Sequence, residues 1–183
     1  MVTTPQHDVR PKASVVRLTP EDAPDLARLE RACFSHPWTE EQLAYGLRER
    51  VLHVFGLRES GSELVGYCSF YAVADEAEIV NIAVIPQLRR MGFGRTLLGA
   101  MLQNAAELCI NRVFLEVRRS NAAAIGLYEA HGFARTGVRT RYYPDTNEDA
   151  LVMTLEMPHA PSGQSGQPAW PRHGNQGRDD EKS

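Results

Sequence analysis

Apolar and polar positions change period along this chain, and the changes mark out its elements. Val15-Val16-Arg17-Leu18 is a short β-branched run that predicts a strand. Thr19-Pro20-Glu21-Asp22 supplies a helix cap, a first-turn proline and first-turn acids. The helix after it sets Ala23, Leu26, Leu29, Ala32 and Cys33 along one face. Thr39-Glu40-Glu41-Gln42 is a capping-box start for a second, short helix through Leu47. Strand patterns follow at 52–58, 63–73 and 78–85, with turns predicted at Ser60-Gly61-Ser62 and Ala74-Asp75-Glu76. A long amphipathic stretch, 93–109, aligns Leu97, Leu98, Met101, Leu102, Ala105 and Leu108. Then come a strand at 112–117, a helix over 121–130 closed by Gly132, and strands near 133–142 and 149–157. The order βααβββαβαββ predicts an α+β (mixed α/β) domain, a mixed sheet with helices on both faces.

The pattern stops at both ends. Residues 1–13 are polar and without period, and 158–183 are rich in Pro, Gly, Gln and Ser, so both read as disordered arms around one folded unit, 14–157. Trp170 is the one residue in the tail with an apolar body to dock. A net charge of −3 gives no electrostatic reason to expect nucleic-acid binding. Of twenty basic residues only Lys12 and Lys182 are lysine, which codon bias or Arg's fit to phosphate would explain. Cys33, Cys68 and Cys109 have no metal-like spacing, are odd in number and sit among apolar residues, as small buried side chains would. No stretch approaches the roughly 18 apolar residues of a membrane span, and the first residues lack a signal-peptide core. A reducing cytoplasm is the expected compartment.

Candidate chemistry concentrates in two places. In Asn81-Ile82-Ala83-Val84-Ile85-Pro86-Gln87-Leu88-Arg89-Arg90-Met91-Gly92-Phe93-Gly94-Arg95 a strand ends in an Arg-x-x-Gly-x-Gly loop and a helix begins at once. Helix N-termini carry unpaired N–H groups and partial positive charge, and glycines let that backbone approach a phosphate. Arg90 and Arg95 add charge-assisted donors. A tight strand–helix turn needing Gly for geometry alone fits the same residues. A Rossmann site is a poorer match: Leu97 stands where a third Gly belongs, although Glu116 mimics the ribose-binding acid. Walker A is absent.

The second place is Arg112-Val113-Phe114-Leu115-Glu116-Val117, a central strand whose Glu116 shares a face with Phe114. A strand carboxylate is costly unless paired or used, so it is either a catalytic group or the partner of Arg118 or Arg119. Downstream, Asn121 and Tyr128 are seven residues apart, about 10 Å along one helix face. Each alone also reads as structure: a helix cap and a core aromatic.

Together these residues resemble a family. Asn-Ile-Ala-Val before Arg-x-x-Gly-x-Gly, then Leu-Glu-Val-Arg-x-Ser-Asn-Ala-Ala-Ala-Ile-x-Leu-Tyr-Glu-x-x-Gly-Phe, resembles the GNAT acetyltransferases, more narrowly the RimI type that acetylates the N-terminal alanine of a small-subunit ribosomal protein. The resemblance covers about 15–157, including His36-Pro37-Trp38-Thr39 and Tyr142-Tyr143-Pro144, and leaves out the tail. It implies a GNAT fold: a central, mostly antiparallel mixed sheet of about seven strands flanked by about four helices. It implies acetyl-CoA as co-substrate and no metal. Ile82, Ala83 and Val84 would meet the pantetheine arm; Arg90, Met91, Gly92, Phe93, Gly94 and Arg95 the pyrophosphate; Asn121 the cofactor. Glu116 would be the general base and Tyr128 the general acid. The implied partner is a protein N-terminus, with no direct nucleic-acid or membrane contact. His36, Trp38, Tyr142 and Tyr143 are aromatic loop residues at element boundaries that either wall a groove for that N-terminus or pack helix ends and a hairpin. Arg118, Arg119, Arg135, Arg139 and Arg141 either face RNA near a ribosomal substrate or form a solvated face. A different amine acceptor, or a non-catalytic acyl-CoA sensor, are the competing functions.

Overall fold

A computed structural model describes residues 12–59 and 63–157. The order is β1 (Ala13–Arg17), α1 (Ala23–Cys33), α2 (Glu40–Arg48), β2 (Leu52–Glu59), β3 (Leu64–Val73), β4 (Glu76–Val84), α3 (Phe93–Glu107), β5 (Arg112–Arg118), α4 (Ala122–Glu129), β6 (Ala134–Tyr143) and β7 (Glu148–Glu156). All seven strands form one sheet, ordered β1-β2-β3-β4-β5-β7-β6. Every pairing is antiparallel except β4 with β5. The predicted 60–62 turn, residues 1–11 of the first arm and the whole tail with Trp170 lie outside the described residues; Ala13, read as the last residue of the first arm, is instead the first residue of β1, opposite Glu59.

Helices cover both faces of the sheet and divide the core in two. Leu97, Leu98, Met101 and Ala105 of α3, with Ile125 and Tyr128 of α4, pack on Cys68, Phe70, Ile79, Val113, Leu115 and Val117. On the other side Leu26, Ala27 and Leu29 of α1 and Leu43 and Leu47 of α2 pack on Val54, Leu64, Tyr67 and Ala83. A buried Leu or Met contributes about 1.5–3 kcal/mol, so the period-3.6 stripe holds each helix down. Ala32, placed by periodicity on the buried face of α1, is exposed, while Ala27 and Glu30 are inside. Cys109 is also exposed rather than buried, in the left-handed backbone (φ 57°) that ends α3 two residues earlier than its pattern suggests.

The feature that makes room for a site is the join between β4 and β5. Their ladder is short: Glu76–Ile79 pair with Arg112–Leu115 and pairing stops. Just there β4 bulges, since Ser69 of β3 faces Asn81 while Phe70 faces Ile79, leaving Val80 as the extra residue. Bulges bend and twist a strand. Beyond this one, the β5-facing edge of 80–84 has no strand partner among the described residues.

Candidate active site

The free edge of β4 leads into the glycine loop. Arg89 steadies the exit by donating from Nε to the Val84 carbonyl (3.0 Å). Arg90 and Gly92 both take positive φ, 67° and 88°, folding the chain back sharply before α3. Thr39 and Asn121 cap their helices with side-chain oxygens, but Gly92 at the start of α3 has no side chain to do so. The helix's first bond runs from the Thr96 N–H to the Gly92 carbonyl (3.2 Å), which leaves the N–H groups of Phe93, Gly94 and Arg95 ahead of the ladder. Among the described residues a Cβ built on Gly92 would meet nothing within 4 Å, so these leave space beside the donors. Arg90 and Arg95 are exposed at the same turn. An uncapped helix end, open space and two guanidinium groups fit a diphosphate, and the free edge of Ile82, Ala83 and Val84 fits an extended amide-bearing arm. Leu97, in the third-glycine position of the rival dinucleotide pattern, is buried in the core, and the β3–β4 pairing is antiparallel.

Glu116 stands one residue past the end of the β4–β5 ladder. It lies on the face opposite Val113, Leu115 and Val117, and its side chain is 13% exposed. The expected Arg118 or Arg119 is not its partner. Arg118 pairs with Asp145 (2.8 Å) and stacks over the Tyr143 ring (3.9 Å), and Arg119 reaches Asp149 (3.9 Å). Glu116 instead pairs with Arg139, Nε to Oε1 at 2.5 Å, across the sheet from β6. Spacing on one strand could not reveal that pair, because β6 comes next to β7 and β7 next to β5 only in three dimensions. The Arg139 guanidinium also lies over the Tyr142 ring (5.5 Å), and its side chain is 57% exposed. Glu116 lies close to Tyr142 and raises the phenol's pKa. With Arg135 bound to Glu129 (2.8 Å), Arg118, Arg119, Arg135 and Arg139 each face an acid rather than forming a bare cationic surface, while Arg141 meets Asp149 through its backbone N–H (2.9 Å).

Tyr128 comes to β5 from the other face. It is buried against Phe133 (ring centroids 5.6 Å apart), and its pKa is raised by burial first, then by Cys68 and Tyr143. Tyr143 stands edge-on to Tyr142 (5.2 Å), and its pKa is raised by burial and by Glu116 among others. Tyr143 thus connects the surroundings of Glu116 and Tyr128 across the sheet. Asn121 does not share Tyr128's environment: it is exposed, and its Oδ1 accepts the Ala124 N–H (3.1 Å) as the cap of α4.

The α1–α2 loop is placed less directly. Trp38 is half-buried against the α1–α2 core, and His36 is exposed beside Ser35. Among the described residues no hydrogen bond, ion pair or ring contact joins either to Glu116, Tyr142 or Tyr143. Sequence reasoning passed over Glu30, which is 1% exposed and accepts from the Trp38 N–H (2.9 Å) and the Tyr67 hydroxyl. Its position on the apolar face of α1 was the available signal.

These features define the class. The Acetyltransferase (GNAT) family matches residues 23–133, and the chain belongs to that family; it is an acetyl-CoA-dependent N-acetyltransferase. Its relatives are narrower than the class. The ribosomal protein bS18-alanine N-acetyltransferase of Escherichia coli (strain K12) is 38% identical over 146 residues, 79% of this chain and 97% of the relative. The enzyme of the same name from Salmonella typhimurium is 35% identical over 142 residues, 76% of this chain and 95% of the relative. The crystal structure of the ribosomal-protein-S18-alanine N-acetyltransferase from Escherichia coli superposes with a TM-score of 0.75 at 34% identity, over 84% of this chain and 99% of that one.

Proposed function

We propose that this enzyme acetylates the N-terminal amino group of a protein in the cytoplasm, with the N-terminal alanine of a small-subunit ribosomal protein as its acceptor. The observation that carries the reading is Glu116: a largely buried carboxylate just past the end of the β4–β5 ladder, close enough to the exposed aromatic Tyr142 to raise its pKa. The relatives' names and near-complete coverage support the acceptor.

The chemistry favours an α-amine. Freeing one (pKa near 8) at pH 7 costs about 1.4 kcal/mol, against about 4.6 kcal/mol for a lysine side chain near 10.4. One carboxylate base is matched to the first task. In this mechanism the edge of Ile82, Ala83 and Val84 holds the pantetheine arm. Arg90, Met91, Gly92, Phe93, Gly94 and Arg95 hold the pyrophosphate, and the amide nitrogen left over by the Asn121 cap contacts the cofactor. The incoming ammonium displaces Arg139 from Glu116, bringing the same charge to the carboxylate while the arginine, more than half exposed, returns to water. Glu116 takes one proton of the ammonium, the amine nitrogen bonds the acetyl carbon and the carbon–sulfur bond breaks; the nitrogen's second proton passes to the departing sulfur, so coenzyme A leaves as the thiol, with both substrates held together and no acyl-enzyme.

Tyr128 serves the departing sulfur as a hydrogen-bond donor. An ordinary tyrosine (about 10) already protonates a thiolate of about 8.5 uphill, by about 2 kcal/mol, and burial of Tyr128 makes the transfer steeper. Tyr142 and Tyr143, with the loop bearing His36 and Trp38 opposite, wall the acceptor groove.

Thiol release from acetyl-CoA, measured against peptides beginning Ala-Arg, Met or Gly, a lysine peptide with blocked N-terminus, and polyamines, tests the acceptor. The Ala-initiated peptide should give the highest kcat/KM. A polyamine or the blocked lysine peptide ahead of it would overturn the assignment.

A further inference from the structure

Glu30 lies in the last turn of α1 and is 1% exposed, yet among the described residues both hydrogen bonds to its carboxylate come from neutral donors. A buried carboxylate without a cation is costly, and a well-packed apolar side chain is often cheaper at such a site. What Glu30 holds is therefore informative. Its backbone carbonyl accepts the Phe34 N–H (2.9 Å) and its Oε2 accepts the Trp38 N–H (2.9 Å). One residue thus clasps both ends of the 34–38 loop. Its Oε1 accepts from the buried Tyr67 hydroxyl of β3, and Tyr67 stands opposite Ala83 of β4 in the β3–β4 ladder. The clasp runs from the α1–α2 loop to the strand that flanks residues 80–84 of β4.

We propose that Glu30 is a positioning residue for acceptor selection, holding the His36–Trp38 loop at a fixed height over the strand edge that carries the acetyl donor. The inference rests on the reading that this loop lines the acceptor groove. Glu30 touches neither substrate; it acts through the loop.

The test compares Glu30→Leu, Glu30→Gln, Tyr67→Phe and Trp38→Leu in the full-length enzyme. Acceptor KM, kcat, acetyl-CoA affinity and thermal midpoint are read for each. Loss of a hydrogen bond to a charged group corresponds to about tenfold, so Glu30→Leu should raise the Ala-peptide KM about tenfold. Its kcat should stay within about twofold and acetyl-CoA affinity should not change, even if the thermal midpoint holds or rises. Glu30→Gln keeps a carbonyl oxygen for the Trp38 N–H and should recover part of the loss. Tyr67→Phe added to Glu30→Leu should cost little more, since both cut one network. If Trp38→Leu raises acceptor KM and Glu30→Leu does not, the groove reading stands and the positioning role is overturned. If neither moves it, the groove reading fails and the inference with it. Acceptor and acetyl-CoA binding weakened alike, in step with lost stability, would reduce Glu30 to a structural residue and overturn the proposal.

Discussion

At the scale of single residues, Glu116 and Tyr128 are set apart by environment. Glu116 is reached by Arg139 and Tyr142 from the rim, whereas Tyr128 is sealed among Phe133, Cys68 and the α3–α4 core. Burial keeps Tyr128 protonated through the working pH range and suits it to donate a hydrogen bond rather than surrender a proton. Tyr128→Phe should then lower kcat by about 10- to 100-fold, the worth of one bond to a developing anion, and leave the pH–rate profile unshifted. Steady-state kinetics across pH 6 to about 9 checks it; a lost basic limb would mean that Tyr128 transfers its proton. The sequence showed Glu116 and Tyr128 as candidates because strand and helix period put them on definable faces. It did not show the Arg139 partner, which depends on how β6, β7 and β5 lie side by side. Glu30 was hidden for the opposite reason: a polar letter on an apolar stripe reads as a break in the pattern until its donors are seen.

At the scale of elements, the loop into α3 does most to make a site. Gly92 is required there by backbone conformation rather than by space, since φ is 88° and a Cβ at that position would find nothing within 4 Å among the described residues. A β-branched residue resists that region by more than the roughly 1–2 kcal/mol typical of other side chains. Gly92→Val should therefore raise the acetyl-CoA dissociation constant by about tenfold or more by tilting the first N–H groups of α3. Calorimetric titration reads it directly, and unaltered affinity would remove the loop from the binding account. Element types were legible because α1, α2 and α3 carry their period and α2 and α4 carry their caps, Thr39 and Asn121. The C-terminal end of α3 was not, because Leu108 and Cys109 extend the apolar pattern past the point where the backbone turns left-handed.

At the scale of the whole molecule, the sheet both builds the site and sets its tolerance to acid. His53 on β2 is buried, stacked on Phe70 (4.9 Å) and within 3.1 Å of Arg17 Nη2. Burial first, and then Arg17, lower its pKa, so the fold holds it neutral. The unfolded chain takes up that proton more readily, so the contribution is complete above the ordinary histidine pKa of about 6.5 and is lost as pH falls through the lower folded value. Denaturant unfolding should show stability declining from about pH 6.5 toward pH 5, with a shallower decline in His53→Asn. Equal slopes would place the acid sensitivity elsewhere. The mixed sheet with helices on both faces followed from the order of elements, and the short β4–β5 ladder did not. A bulge at Val80 leaves no mark in alternation, because 78–85 is apolar enough to serve either register.

The central claim is that Glu116 deprotonates an α-ammonium at the opening this ladder leaves. Turnover of an Ala-initiated peptide by Glu116→Gln at pH 7, with acetyl-CoA binding measured on the same preparation, tests it most directly. Turnover should fall by about 100-fold or more while acetyl-CoA affinity stays within about twofold. Turnover close to that of the unaltered enzyme would contradict the claim.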